Sequence, residues 1–332
     1  MQIRRLGRTG LKVSEICLGT MTFGHQCDEK QSFAILDKAA EFGVNFLDCA
    51  DVYPVPMSLE TQGRSEEIIG NWLQKKRDKF VLATKCRLRS GPEVNDEGLS
   101  RRHIMHSIDA SLRRLKTDYI DLYQTHFPDP ETPLDETLRA FDDLVRSGKV
   151  RYIGCSNYPA WQLALALGIS ERQGLARFDC LQPRYNLLFR DIETELLPLC
   201  RDQGIGVIAF NPLAGGVLTG RYRGTSAESK PESGRFSLGK TGDLYRERYW
   251  QHVQFEAVEH LAKFFEPRGK PLVQVAVAWM LAQPGITSAI VGASKPEQLE
   301  QSLPAVKMKL DEEEMAVIDQ VWFDLPRVKK VR

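Results

Sequence analysis

No apolar run in this chain approaches the ~20 residues that a helix needs to cross a bilayer, so no helical membrane span is expected. The opening residues Met1-Gln2-Ile3-Arg4-Arg5-Leu6-Gly7 carry charge but no apolar core, so they do not read as a secretion signal. Neither sign of charge is in excess, with 45 Lys and Arg against 44 Asp and Glu, and nothing points to nucleic acid or an anionic membrane as a partner. The Lys329-Lys330-Val331-Arg332 tail is expected to be a solvated end. Cysteine is sparse and odd in number, at 7, with no Cys-x-x-Cys, which argues against a disulfide framework or a zinc site. A reducing cytoplasm is the compartment that fits. Cys49, Cys86 and Cys155 adjoin predicted strand ends and read as small packing residues. His103 and His106 are three apart on a predicted helix, but no third ligand has suitable spacing, so they read as a surface pair and no metal is expected.

What the chain does have is a rhythm. A short apolar run, a loop and an amphipathic helix recur along its 332 residues. Residues 2–6 and 12–15, around the Arg8-Thr9-Gly10 turn signal, predict a hairpin. Buried strands are expected at Ile16–Leu18, Gly43–Leu47, Phe80–Thr84, Tyr119–Thr125, Val150–Cys155, Cys180–Leu181, Gly206–Ala209 and Ser288–Val291. Helices are expected from Asp28 to Glu41, Ser65 to Gln74, Ser100 to Leu115, Asp135 to Ser147, Ala160 to Leu167, Glu193 to Gln203, Val273 to Gln283 and Glu297 to Ser302. An extra helix is expected over Asp311–Val321. Strict alternation predicts a parallel sheet, and eight units predict closure into a single (β/α)8 TIM barrel domain over residues 1–332. A doubly wound open sheet is the alternative, but no Gly-x-Gly-x-x-Gly turn follows strand one. Residues 221–245, after strand seven, lack apolar periodicity and read as a long loop.

In a barrel of this kind the carboxyl ends of the strands carry the chemistry. Here they end in Asp48, Lys85, His126, Ser156, Asn157, Gln182 and Phe210, with Tyr53 just beyond the first of these. Buried charges persist when they are paired or used. The group reads as a proton-transfer device. A phenol titrates near ~10, and a neighbouring ammonium favours its ionised form. Asp48 would hold the Lys85 ammonium, and His126 would hydrogen-bond a substrate carbonyl or share in proton delivery. A metal-dependent hydrolase using His126 and Asp48 is a reading of a different class.

The order Asp48, Tyr53, Lys85, His126 resembles the tetrad of the aldo-keto reductases. The stretches Leu6-Gly7-Arg8-Thr9-Gly10-Leu11-Lys12-Val13-Ser14 and Leu18-Gly19-Thr20-Met21-Thr22-Phe23-Gly24 are similar to that superfamily's opening. Tyr53-Pro54-Val55-Pro56 and Glu60-Thr61-Gln62-Gly63 resemble its bacterial Tas-like branch, with potassium channel β-subunits as more distant relatives. The resemblance implies a (β/α)8 barrel that binds NADP(H) and reduces small aldehydes or ketones, Tyr53 acting as the acid. It assigns Gly19, Thr20, Met21 and Asp48 to the cofactor. It places Ser156, Asn157 and Gln182 on the nicotinamide carboxamide and Phe210 against the ring. Asn211, Pro212, Leu213, Gly215 and Arg221 fall where relatives grip the pyrophosphate, and Arg235 falls on a loop that folds over the dinucleotide. Gly292, Ser294 and Gln298, with Lys295 beside them, fall at the adenosine 2′-phosphate, which prefers NADP to NAD. Gln301-Ser302 departs from the Glu-Asn pair common in the family. An auxiliary or redox-sensing subunit that binds NADP(H) with little turnover is the alternative within the same resemblance.

Overall fold

A computed structural model describes residues 1–229 and 231–326; the predicted solvated tail at Lys329–Arg332 lies outside them. The chain opens with an antiparallel hairpin, β1 (Ile3–Arg5) and β2 (Lys12–Ser14). Then come β3 (Ile16–Gly19), α1 (Glu29–Glu41), β4 (Phe46–Asp48), α2 (Arg64–Leu73), β5 (Val81–Cys86) and α3 (Arg101–Leu115). These are followed by β6 (Ile120–Thr125), α4 (Leu134–Arg146), β7 (Val150–Ser156), α5 (Ala160–Gln173), β8 (Phe178–Gln182), α6 (Leu196–Gln203) and β9 (Gly206–Phe210). The remainder is α7 (Gly239–Tyr249), α8 (His252–Phe265), α9 (Leu272–Ala282), β10 (Ile286–Gly292), α10 (Pro296–Ser302) and α11 (Glu312–Asp324). Strands β3 to β10 close into one parallel barrel in the order β10-β3-β4-β5-β6-β7-β8-β9, as the alternation predicted.

Local signals set the helix starts. The Asp28 carboxylate accepts from Gln31 N at 2.7 Å and the Gln31 side chain returns a bond to Asp28 N, a capping box. Asp311 and Glu314 repeat the device before α11. Three segments differ from the sequence expectation. Helix α5 runs on to Gln173, where Gly174 in the left-handed region ends it. Helix α6 starts at Leu196, because 191–193 is a 3-10 turn. Helices α7 and α8 occupy a region in which no helix was expected, and α7 begins inside the predicted 221–245 loop.

Contacts divide the chain into two units. The first holds Met1–Pro183, Ile192–Phe210 and Gly285–Leu299, and so the hairpin and the whole barrel. The second holds Arg184–Asp191, Asn211–Pro284 and the chain from Glu300 onward.

Within the first unit, a strand turns alternate side chains to opposite faces. Cys17, Phe46, Ala83, Leu122, Cys180, Ile208 and Ile290 meet in one cluster inside the barrel. Leu6 and Val13 of the hairpin segment join that cluster and cover its floor. Fully burying one such aliphatic or aromatic side chain contributes about 1.5–3 kcal/mol. The hairpin approaches closely because residue 7 is glycine: with φ at 55°, a Cβ there would stand 2.4 Å from the Gly204 carbonyl oxygen. Two residues beyond the cluster, on the same face, stand Gly19, Asp48, Lys85, Gln124, Gln182, Phe210 and Gly292. The pleat therefore lays a mostly polar layer directly on the apolar one.

Candidate active site

Asp48 sits at the end of β4 with its carboxylate buried. Its Oδ2 accepts from Lys85 Nζ at 2.6 Å. Its Oδ1 accepts from Gln182 Nε2 at 2.8 Å and, more weakly, from Gln124 Nε2 at 3.4 Å. Lys85 is fully buried on β5, and its ammonium also donates to the Cys49 carbonyl at 2.6 Å. Burial alone would push this amine down. The Asp48 carboxylate, followed by the Tyr53 phenol, outweighs it and holds Lys85 above its ordinary value, so it stays an ammonium.

Tyr53 follows in the loop after β4, half-buried. The Lys85 ammonium stands 5.1 Å from the centre of its ring. The ring of His126 meets it edge-on at 5.8 Å between centroids, and Phe127 stacks on that imidazole at 5.3 Å. His126 is buried at the end of β6, its backbone N–H bound to the Cys86 carbonyl at 2.9 Å. Burial first, then the charges of Lys85 and Arg87, hold its imidazole well below the ordinary histidine range. It is neutral at neutral pH, and its buried Nδ1 has no partner among the described residues. A phenol thus lies between a fixed cation and an uncharged imidazole. Such a group can deliver a proton to an oxygen that gains negative charge.

The next two strands extend the site. Ser156 Oγ donates to the Gln182 carbonyl at 2.8 Å. Asn157 adopts the left-handed region at φ 62°, which asparagine tolerates, and its Nδ2 donates to the His126 carbonyl at 3.0 Å and to Ser156 Oγ at 2.9 Å. Thr20 binds the Asp48 carbonyl through its N–H and its Oγ1, and the Met21 carbonyl accepts from Val55 N at 2.9 Å beyond Tyr53. The structure therefore brings Gly19, Thr20, Asp48, Tyr53, Lys85, His126, Ser156, Asn157 and Gln182 into one neighbourhood of the barrel. Phe210, half-buried, ends β9 with its N–H on the Pro183 carbonyl at 2.9 Å. Gly292 ends β10 in register with Gly19, and Ser294 and Gln298 follow it around the start of α10, where Gln298 Oε1 accepts from Ser294 N at 2.7 Å.

The remaining predicted residues belong to the second unit. There Asn211, at φ 68°, accepts from Gly215 N on its Oδ1 at 2.8 Å and donates through Nδ2 to the Tyr249 hydroxyl at 3.0 Å. Pro212 and Leu213 lead into the turn. Gly215 has φ 71°, and a Cβ there would press on Tyr245 at 2.8 Å. Arg221 donates to Ser233 Oγ at 2.7 Å, bracing the loop between them. The Arg235 guanidinium stands 5.4 Å from the centre of the Tyr245 ring.

Some of the site's residues were not singled out from sequence. Gln124 was read only as strand; its one signal is its place two residues past Leu122 on the inner face. Glu66 is fully buried, accepting from Thr84 Oγ1 at 2.6 Å and from Arg114 Nε at 2.7 Å. Asp51 is buried beside this group, and neither carboxylate oxygen finds a partner among the described residues. Burial, then the Glu66 charge, hold Asp51 well above the usual carboxylate range, which favours its protonated form. All seven cysteines are free and buried. Burial raises Cys49 and Cys86, which are thiols rather than reactive thiolates, in keeping with a packing role. His103 corrects the surface-pair expectation: it is buried, with Nε2 3.2 Å from Ser107 Oγ, and only His106 is exposed. Among the described residues no three of His, Cys, Asp and Glu gather as a metal site. No described helix is long and apolar enough to cross a membrane.

Comparison with known proteins agrees with this arrangement. The aldo/keto reductase family model matches residues 15–322. An uncharacterized oxidoreductase of Bacillus subtilis, YrpG, is 40% identical over 331 residues, covering 97% of this chain and 96% of the relative. A probable voltage-gated potassium channel subunit beta of Arabidopsis thaliana is 38% identical, covering 92% of this chain and 91% of its own. The Escherichia coli protein tas is 34% identical, with 97% of both chains covered.

Proposed function

The chain belongs to the aldo/keto reductase family of oxidoreductases, and from that premise we propose that it reduces small aldehydes and ketones to alcohols with NADP(H), Tyr53 being the proton donor. One observation carries the reading: the buried Lys85 ammonium, locked by Asp48, stands at the Tyr53 ring, with neutral His126 on the same ring. Lys85 stabilises the phenolate left when Tyr53 gives up its proton. Asp48 keeps the ammonium in place and charged. His126, uncharged, steers the substrate oxygen by a hydrogen bond without competing as an acid.

The residues present fit the cofactor. Asn157 Nδ2 and Gln182 Nε2 are engaged within the protein, while Asn157 Oδ1 and Gln182 Oε1 accept no hydrogen bond from a described residue. That leaves two acceptors for the NH2 of a carboxamide. When bound, NADP(H) supplies the hydride. Phe210 would lie against its ring, and Gly19, Thr20 and Met21 would border it. Asn211, Pro212, Leu213, Gly215, Arg221 and Arg235, in the second unit, are proposed as cofactor-binding residues. Gly292, Ser294 and Gln298, with the cation of Lys295, would favour the 2′-phosphate. The family match runs through both units, which supports a single domain over 1–332. Seven free thiols suit a reducing cytoplasm.

Tyr53→Phe should lower the NADPH-dependent rate on 4-nitrobenzaldehyde by about 10²–10⁴-fold, with the cofactor dissociation constant unchanged. Near-normal turnover in the variant would end the proposal. The likeness to a channel subunit beta favours a second reading, an NADP(H)-binding auxiliary protein. Tight NADPH binding with no turnover over a broad carbonyl panel would select it.

A further inference from the structure

Arg87 is the first residue after β5, two beyond Lys85. The pairing of Cys86 with Thr125 puts it next to His126 across the strand boundary. Its backbone stands at φ 130°, far from where a side-chain-bearing residue rests. Such backbone outliers are costly to hold and gather at functional sites. The conformation is pinned by Gly98 N, which donates to the Arg87 carbonyl at 2.8 Å.

The side chain is in no hydrogen-bonded ion pair with a described residue. Among the described residues it makes no ion pair or hydrogen bond, and its Nε is buried without a partner. The nearby carboxylate, Asp129, is already taken by Leu99 N at 2.7 Å, Glu131 N at 3.1 Å and Thr132 Oγ1 at 2.7 Å. The positive charge of Arg87 is nonetheless felt by both His126 and Asp129. A partly buried guanidinium, strained in its backbone and unpaired beside a proposed substrate-binding imidazole, is a donor fork without an acceptor. A planar anion fits that fork.

We infer that Arg87 forms an anion subsite next to His126, and that the preferred substrates are carbonyl compounds bearing a carboxylate. This rests on the carbonyl-reductase reading for its substrate, but not for the existence of the subsite.

The test compares 4-carboxybenzaldehyde with its neutral ester, methyl 4-formylbenzoate, in wild type, Arg87→Gln and Arg87→Lys. The ratio of kcat/KM for acid over ester should fall about 10- to 100-fold in R87Q, the range of a lost charge-assisted hydrogen bond. R87K should retain part of the preference, lacking the fork but keeping the charge. A ratio in R87Q within about twofold of wild type would overturn the inference. Calorimetric titration with 4-(hydroxymethyl)benzoate decides the matter without turnover. Weaker binding to R87Q than to wild type supports the subsite, and equal binding refutes it. Should neither aldehyde be reduced by wild type, the reductase reading falls while the titration still judges Arg87.

Discussion

Replacing Asp48 by asparagine leaves the Lys85 ammonium fully buried with no counter-ion. At 2.6 Å the pair attracts by about 6 kcal/mol at an effective dielectric of about 20. Desolvation offsets much of that in the intact protein, but removing one partner exposes the other's full penalty. We predict a loss of about 3–5 kcal/mol in unfolding free energy at pH 7, a fall in Tm of roughly 4–7 °C for a chain of 332 residues. The pH dependence follows from the sign of the shift. Lys85 is held above its ordinary value, so in wild type its contribution is fully present below about pH 10.4 and is lost only as pH rises through the folded value. In D48N burial alone governs the amine, and the folded protein prefers it neutral. The gap between the two proteins should therefore narrow by about 1.4 kcal/mol per pH unit as pH rises toward 10. Urea unfolding followed by circular dichroism at pH 6, 7, 8 and 9 measures it. The double variant D48L/K85M should regain at least half the loss, because no charge is left stranded. A D48N deficit below about 1 kcal/mol at pH 7, or one that does not change with pH, would refute a buried, mutually dependent pair.

Two further predictions concern neighbours of that pair. Asp51 is held well above the usual carboxylate range, so the folded state binds a proton that the unfolded chain releases above about pH 3.9, and wild-type stability falls as pH rises from there; Asp51→Asn should raise Tm, and by more at pH 8 than at pH 5 in thermal melts. His126 is held neutral, so the unfolded chain gains a proton below about pH 6.5 that the folded one refuses; His126→Gln should remove up to about 1.4 kcal/mol per pH unit of acid destabilisation, seen as a flatter Tm profile between pH 6.5 and 5.

The barrel was legible because its strands are short, mainly apolar runs, most of which end in a polar or glycine residue. Even the site layer could be read, since Asp48, Lys85 and Gln182 each lie one pleat beyond an inward apolar residue. The misses have physical causes. Helix α7 begins Gly-Lys-Thr-Gly and has only Gly242, Tyr245 and Tyr249 to bury, a face too narrow to register as periodicity. Helix α8 carries a legible apolar stripe in Val258, Leu261, Ala262 and Phe265, next to an irregular neighbour that hides its start. The contact of Glu66 with Arg114 spans 48 positions, and the unpaired state of Arg87 depends on which acids are already taken; neither leaves a local trace. His103 looked like a surface residue because its helix is otherwise rich in arginine and serine.

Asp48 gathers donors from β5, β6 and β8, and the three converge only while the ring of strands is shut. Parting any seam of that ring would scatter them together. Heat inactivation and the collapse of the strands should then share one midpoint, with no breathing, half-open form still able to turn over.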